Sequence, residues 1–374
     1  MARPIIYCDH NANSPVRPEA AEAVVRALGV GGNPSSVHGA GRRARALMEG
    51  ARESIAAAID ARGENLVLTS GATEALHLAL DGARGAAKSV VVSAVEHDSV
   101  FAQARRSYDD VRIAPVNAAG VVDLGALAGV LADAPKPALV AVMLANNETG
   151  AIQPIREIAA SVREVGGLLL VDAVQALGKM PVSVTDLDAN YLVITSHKIG
   201  GPMGAGALAL GAGAPYAAPH SGGGQERGRR PGAECLPAIV GFAAAVEIAN
   251  ARWAEESAHT QKLRDRFEQA LPNSATIFSK DAPRLPNTSL FALDGVRAET
   301  ALIALDLDGV CASSGAACSS GKVRTSRVLG AMGYADAAER GAVRVSFGWS
   351  STEAECDAAI AAVQRLAARA AEAA

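Results

Sequence analysis

Cysteine is scarce in this sequence, and its few cysteines are not spaced as metal ligands. Five cysteines are scattered along 374 residues without a Cys-x-x-Cys pair. Such a set argues against a disulfide framework and against a zinc site. The seven histidines likewise show no metal-ligand spacing. We therefore expect no structural metal and no disulfides, which leaves room for one reactive thiol.

Long apolar runs and long basic blocks are also missing. No apolar run reaches the length of a transmembrane helix, and residues 1–4 lead into no signal-peptide core. The formal net charge is −4, and Arg227, Arg229 and Arg230 form only a short basic cluster. We expect a cytoplasmic protein that binds neither membranes nor nucleic acid.

Several common catalytic motifs are absent as well, namely the P-loop, His-Glu-x-x-His and Gly-x-Ser-x-Gly. Residues 204–209 fit a relaxed dinucleotide fingerprint, but they precede a predicted strand instead of opening a helix, so we discount them. With 49% hydrophobic and 20% charged residues, the chain is typical of a globular protein.

What the sequence does contain is a regular alternation of Val- and Leu-rich strands with helices. Seven strands are predicted, at residues 65–69, 89–93, 111–116, 139–144, 167–172, 191–194 and 207–210. Because they are apolar on both faces, they predict an α/β fold with a mostly parallel seven-stranded sheet between helices. Polar residues gather where these strands end, which is where such sheets bind ligands.

The pattern changes after a long Ala-rich helix, predicted over residues 237–270. From residue 275 onward, short strands and helices follow one another as in α+β proteins. We predict a large α/β domain over residues 15–255 and a smaller α+β domain made of residues 1–14 and 256–374.

Two strand ends provide a carboxylate and an amine that suit pyridoxal phosphate. Asp172 ends one strand, and Lys198 follows the next one. A desolvated lysine can bond an aldehyde, and a carboxylate can pair with the pyridinium nitrogen of that cofactor. Each residue alone is more often a surface lysine or a helix-capping aspartate, but together with the features below they favour the cofactor.

A strand, a Gly turn and a helix follow one another around Gly71. Residues 65–69 lead through Ser70 and Gly71 into a helix that begins near Ala72 and Thr73. This arrangement points free backbone amides at an anion, and Thr73 adds a hydroxyl. The alternative is an ordinary helix N-cap.

A further polar segment, residues 312–322, consists of small residues around Cys318. Its composition predicts a mobile loop, and the nearby Lys322 and Arg324 favour the thiolate form of the cysteine. The alternative is a cysteine that lies in the loop without a role.

These features belong to a larger set of short motifs. The set comprises Asn33-Pro34-Ser35-Ser36 with His38, residues 69–74, Glu96-His97, residues 146–150, Asp172 with Gln175, Ser196-His197-Lys198, residues 222–227 and residues 315–320. As a set, over nearly the whole chain, they resemble the class V aminotransferase-like, fold type I pyridoxal-phosphate enzymes. The resemblance is specifically to cysteine desulfurases of the nitrogen-fixation and iron–sulfur-cluster type.

The resemblance implies how pyridoxal 5′-phosphate would be held. Lys198 would bond its aldehyde and transfer protons, Asp172 would pair with the ring nitrogen, and Gln175 would bond the phenolic oxygen. His97 would stack on the ring and take part in catalysis. The remaining implied cofactor contacts are Ala72 through its backbone, Thr73, Asn147, Thr195 and His197.

The resemblance also implies a substrate, L-cysteine, and a route for its sulfur. Arg344, as a bidentate clamp, would bind the substrate together with Asn147 and Asn33. Cys318 would take the sulfur as a persulfide and pass it to an iron–sulfur scaffold protein or another acceptor, with nitrogenase assembly as one destination considered. No resident metal is implied; the one metal role considered is transient ligation of a cluster by Cys318.

A homodimer is implied too, because in this family the loop at residues 222–233 reaches the partner's site. Ala233 departs from the family, which often has a threonine there that bonds the partner's cofactor phosphate; its loss removes one hydrogen bond. Two alternatives stay open. One is a selenocysteine lyase or other β-eliminating lyase on the same fold, and the other is a non-catalytic sulfur-carrier or scaffold-binding protein.

Overall fold

A computed structural model describes residues 5–315 and 325–373 of the chain. The helices of these residues are α1 (Pro18–Leu28), α2 (Gly39–Ala57), α3 (Ala72–Gly82), α4 (Asp98–Ser107), α5 (Leu124–Asp133), α6 (Ile155–Glu164), α7 (Leu236–Gln269), α8 (Ala298–Leu307), α9 (Arg327–Ala331), α10 (Ala335–Arg340) and α11 (Glu353–Ala373). The strands are β1 (Ile6–Tyr7), β2 (Leu66–Thr69), β3 (Ser89–Ser93), β4 (Val111–Ala114), β5 (Ala138–Met143), β6 (Leu168–Asp172), β7 (Tyr191–Thr195), β8 (Gly206–Leu210), β9 (Ala275–Ile277), β10 (Thr288–Leu293), β11 (Val310–Cys311), β12 (Ser313–Ser314) and β13 (Val343–Ser346).

The predicted seven-stranded sheet is confirmed, with the order β2-β8-β7-β6-β5-β3-β4. All of its neighbouring pairs are parallel except those of β8, which runs antiparallel to β2 and β7. Side chains alternate between the two faces of a strand. Accordingly, Val91 belongs to the core that contains residues of α2, α5, α6 and α7, whereas Val90 and Val92 belong to the core that contains residues of α3 and α4. The sheet is buried on both faces, as its apolar strands predict.

A second, antiparallel sheet has the order β12-β13-β10-β9. Its core contains Phe267 of α7, Phe291 of β10 and Phe347, and the ring of Phe267 lies 5.6 and 6.1 Å from the other two. Helix α7 thus leaves the first core and enters the second. The predicted domain boundary at residue 255 lies within this helix.

Helix α2 begins and ends three residues earlier than the predicted span of 42–60. Its first turn is capped by the imidazole of His38, which accepts a hydrogen bond from the backbone N–H of Gly41 at 3.3 Å. Its end is fixed by Asp60, whose φ of 52° cannot continue a right-handed helix. In the described part of the chain, no helix combines the length and apolarity needed to cross a membrane.

Candidate active site

A cavity of about 420 Å³ lies at the edge of the seven-stranded sheet where β3, β5, β6 and β7 end. Parallel strands bring their carboxyl ends to one edge, so segments far apart in sequence meet there. Eight of the predicted site residues line this cavity: Ala72, Thr73, His97, Asn147, Asp172, Gln175, His197 and Lys198.

One end of the cavity is formed by the N-terminus of α3. The N-cap residue is Gly71, with a φ of 156°, and no side chain of the described residues caps this helix. The first backbone N–H groups of a helix have no partner within the helix, so those of Ala72 and Thr73 are available to an anion. The hydroxyl of Thr73 lies at the same end of the cavity.

The turn at Gly71 is set by its close approach to β8. A Cβ atom on Gly206 would lie 2.7 Å from the carbonyl carbon of Gly71 and 3.1 Å from the amide nitrogen of Ala72. On the other side, Glu74 pairs with Arg230 at 2.7 Å. Burial raises the pKa of Glu74, but the hydrogen bonds from Arg230 and Ser70 outweigh it and give a net decrease. Glu74 therefore stays charged and ties α3 to the loop at residues 222–233.

Asp172 supplies a buried carboxylate at the end of β6. Its side chain accepts a hydrogen bond from the backbone N–H of Val174 at 2.9 Å. Burial raises its pKa, while the Val174 N–H and the charges of His97 and Lys198 act in the opposite direction. A cation beside this carboxylate would offset the desolvation that raises the pKa.

Glu96 lies near Asp172 because β5 pairs with β6 at Met143 and Asp172. The backbone N–H of Met143 donates to Oε1 of Glu96 at 2.5 Å, and Oε2 has no hydrogen-bond partner in the part of the chain that the structure describes. Burial, and then the charge of Asp172, raise the pKa of Glu96 well above its usual range. The pKa of both carboxyl groups is raised, but only Asp172 has the charges of His97 and Lys198 acting to lower it, so the negative charge is favoured on Asp172 rather than on Glu96.

Lys198 supplies the amine, in the turn that follows β7. Its Nζ donates to the backbone carbonyl oxygens of Asn11 and Ala12, both at 2.6 Å. Asn11 is held firmly, because its side chain bonds Thr288 at 2.9 Å and Asn287 at 3.0 Å and is 1% exposed. The N-terminal segment thereby positions the amine of Lys198.

His97 is the N-cap of α4. Its Nδ1 lies 3.2 Å from the backbone N–H of Ser99, from which it accepts a hydrogen bond, and 2.8 Å from the hydroxyl of Ser99. These contacts fix the plane of a half-buried imidazole ring in the wall of the cavity. A ring held in this way can stack on a planar ligand.

The family model for aminotransferase class-V matches residues 6–359. This chain belongs to the aminotransferase class-V family.

Relatives within the class-V family cover nearly the whole chain. A protein named cysteine desulfurase from Cereibacter sphaeroides is 40% identical over 94% of this chain and 93% of its own length. An IscS-like cysteine desulfurase from Mycobacterium tuberculosis is 37% identical over 98% of both chains. The solved NifS-like protein from Rickettsia africae superimposes with a TM-score of 0.89 at 30% identity, covering 97% of this chain and 99% of that one.

Three other predicted residues of this class-V protein lie off the cavity wall. Thr195 is fully buried, and its hydroxyl lies 3.1 Å from Nδ1 of His197 and 3.2 Å from the carbonyl of Ala205, so it fixes the imidazole of His197. Burial, and then the charges of Lys198 and Lys179, lower the pKa of that imidazole to about 4. Asn33 lies exposed on a surface loop, where its side chain accepts from the N–H of Ser35.

Arg344 lies behind the cavity wall and is 1% exposed. Its two terminal nitrogens donate to the carbonyl of Asn147 at 3.0 Å and to Asp9 at 2.7 Å. Its Nε is buried without a hydrogen-bond partner among residues 5–315 and 325–373. An unsatisfied guanidinium N–H next to the cavity residue Asn147 is suited to a carboxylate ligand.

Cys318, the predicted sulfur acceptor, lies outside the described residues. Of the cysteines that the structure describes, Cys8 and Cys356 are buried and Cys235 is exposed, and none is paired. No cluster of His, Cys, Asp or Glu within the described ranges could hold a metal ion.

Asn11 and Ala12 were not predicted as site residues, because they act through backbone carbonyls, which have no residue-specific signature. Lys179, whose Nζ bonds Gln175, was not predicted either. The two residues lie in an irregular segment, so their spacing of four gives no helical signal for this contact.

Proposed function

We propose that this protein is a cysteine desulfurase, which converts L-cysteine to L-alanine and retains the sulfur as a persulfide. The observation that supports this most is the convergence of an uncapped helix N-terminus, Asp172 and Lys198 on one cavity. The relatives at 36–40% identity that are named cysteine desulfurase support the choice of substrate.

The cavity suits pyridoxal 5′-phosphate in three places. The amides of Ala72 and Thr73 fit a phosphate, the carboxylate of Asp172 fits a pyridinium N–H, and the amine of Lys198 fits an aldehyde. When bound, pyridoxal phosphate would supply a carbonyl that bonds amines and a ring that accepts the electron pair released at Cα.

The protein's own groups have distinct tasks in this proposal. Lys198 removes the proton from Cα of the substrate, and the carbonyls of Asn11 and Ala12 stabilise its nitrogen while it holds that proton. Asp172 keeps the ring nitrogen protonated. The raised pKa of the neighbouring Glu96 disfavours a second negative charge beside it. His97 packs on the ring face.

The substrate carboxylate is assigned to Arg344 and Asn147. The N–H of Arg344 Nε has no partner among the described residues, and Asn147 lies between Arg344 and the cavity. A buried charged donor that gains a carboxylate partner recovers part of its desolvation cost. We also propose that Asn33 contributes to substrate binding and Thr195 to phosphate binding.

Cys318 is proposed to receive the sulfur. Its thiolate attacks the sulfur of L-cysteine, a new S–S bond forms, and the bond between Cβ and sulfur breaks with its electron pair left on Cβ. Protonation at Cβ, together with return of the proton from Lys198 to Cα, gives alanine, so that one L-cysteine and one thiol yield one alanine and one persulfide. An iron–sulfur scaffold protein or another acceptor then takes the sulfur, with nitrogenase assembly as one destination.

The test is to measure alanine and sulfide from purified protein, pyridoxal phosphate and L-cysteine under a reductant. The Cys318→Ala variant is compared with Cys235→Ala, which removes an exposed thiol elsewhere. We expect wild type and Cys235→Ala each to form alanine and sulfide in equal amounts, and Cys318→Ala to form neither. Equal activity of all three proteins would favour a β-eliminating lyase. A protein that binds no cofactor would favour a non-catalytic sulfur carrier.

We further propose that the protein is a homodimer in the cytoplasm. Each subunit has one domain over residues 15–255 and a second domain made of residues 1–14 and 256–374. The dimer is proposed from the family resemblance, in which the loop at residues 222–233 reaches the partner's site; in this loop Glu226 and Arg227 adopt left-handed backbone angles, with φ of 49° and 57°. Buried contacts that hold such a conformation indicate a loop with a defined shape. Sedimentation equilibrium tests the dimer, and a monomer at micromolar concentration would refute it.

A further inference from the structure

We propose that Lys179 is a positioning residue that fixes the amide of Gln175, so that an N–H of this amide faces the cofactor's phenolic oxygen. This inference rests on the proposed function, in which Gln175 contacts pyridoxal phosphate.

Lys179 lies four residues after Gln175, in the irregular segment that follows β6. Its Nζ donates to the backbone carbonyl of Gln175 at 2.9 Å and to the side-chain Oε1 at 3.1 Å. The other end of the same amide, Nε2, donates to the carbonyl of Asn11 at 2.9 Å. Both ends of the Gln175 amide therefore have a partner of defined polarity.

These two partners favour one orientation of the amide, and the carbonyl of Asn11 imposes it even when Lys179 is neutral, because a carbonyl oxygen can only accept. A rotation by 180° would place the NH₂ group against the ammonium of Lys179 and the amide oxygen against the carbonyl of Asn11. It would replace two hydrogen bonds by a contact between donors and a contact between acceptors. In the favoured orientation, one hydrogen of Nε2 binds Asn11 and the second is left for the cavity, which Gln175 lines.

Burial and nearby cations disfavour the charged form of Lys179. Burial, and then the charges of Lys198 and Arg344, lower its pKa to about 7. The ion pairs of residues 5–315 and 325–373 do not include Lys179. A phenolate of the cofactor bound at Gln175 would reduce this repulsion, because Lys179 bonds the same side chain.

Lys179 could instead serve only to hold the turn, through the carbonyl of Gln175. The two roles are separated by a cycle of Lys179→Met, Gln175→Ala and the double variant. Two properties are measured for each: the dissociation constant of pyridoxal phosphate, by titration of the cofactor-free protein, and the pH midpoint of the bound cofactor's visible absorbance. Lys262→Met, at an exposed lysine, is the matched control.

We expect Lys179→Met to weaken cofactor binding by roughly three- to tenfold, the equivalent of one hydrogen bond, and to shift the absorbance midpoint. In the Gln175→Ala background, Lys179→Met should change neither the dissociation constant nor the absorbance midpoint, because the amide that Lys179 positions is absent. Lys179→Arg, which keeps a donor, should recover most of the affinity.

Equal losses in both backgrounds would overturn the inference while leaving the proposed function intact. A wild type that binds no cofactor would overturn both. If Lys179→Met does not fold, a crystal structure of the wild type with bound cofactor decides instead. It must show Nζ of Lys179 on Oε1 of Gln175 and Nε2 within hydrogen-bond distance of the phenolic oxygen, and a Lys179 turned away from Gln175 would refute the proposal.

Discussion

We expect Glu226→Ala to destabilise the protein strongly, because it leaves a buried guanidinium without its main partner. Arg52 donates to both oxygens of Glu226, at 2.6 and 2.7 Å, and the two side chains are 3% and 1% exposed. Burial alone lowers the pKa of Arg52, but the hydrogen bonds and charge of Glu226 turn this into a net increase. The Glu226 carboxylate also accepts from the N–H of Leu68 at 2.8 Å.

Removing one partner of a buried ion pair typically costs about 3–5 kcal/mol. Glu49 remains 3.2 Å from Nε of Arg52, so we expect the loss to lie near the lower limit. At about 2.1 cal/mol/K per residue, the unfolding entropy of 374 residues is about 0.8 kcal/mol/K. A loss of about 3 kcal/mol then lowers Tm by about 4 °C.

Calorimetry of the cofactor-free protein measures this change. The control is Asp357→Ala, which breaks a bidentate pair with Arg266 of similar geometry but with side chains that are 51% and 49% exposed. Water replaces the partner there, so Tm should stay close to that of wild type. The reasoning is refuted if both variants lose the same stability, or if Glu226→Ala loses none.

Three further predictions concern the site itself. Gly206→Ala should weaken binding of pyridoxal phosphate and of free phosphate, because its Cβ would lie 2.7 Å from the backbone of Gly71. Gly50→Ala, in open space within a helix, should leave binding unchanged. Wild-type stability should fall as the pH rises above the usual carboxyl pKa, because the folded-state pKa of Glu96 is raised. Glu96→Gln should remove this loss, so the Tm of the variant should change less than that of wild type between about pH 5 and pH 8. Lys198→Ala should release the cofactor during dialysis after borohydride treatment, whereas wild type should retain it.

The central sheet and the site at its edge could be predicted because their signals are local. Strands β3 and β6 were predicted to within one residue, since their apolar runs end at residues of clear polarity. Asp172 and Lys198 stand at such ends, and parallel pairing brings them to one edge whatever the details of the loops.

The features that could not be predicted from the sequence depend on contacts between residues that are far apart in the chain. Strands β1, β11 and β12 have two residues each, too few to show any periodicity. The contact between Lys198 and Asn11 spans 187 residues and uses a backbone oxygen. The contact between the hydroxyl of Thr195 and the carbonyl of Ala205 is likewise not revealed by sequence spacing, while the role of Thr195 in phosphate binding stays a prediction.

Helix α7 has a consequence for folding cooperativity. It is 34 residues long, about 50 Å, with Phe242 in the first core and Phe267 in the second. Between them, Glu256 forms a bidentate pair with Arg17 at 2.6 and 2.7 Å, which ties the middle of the helix to the segment before α1. Unfolding either core would expose half of a continuous helix, so we expect the two cores to melt in one transition and limited proteolysis to release neither as a stable fragment.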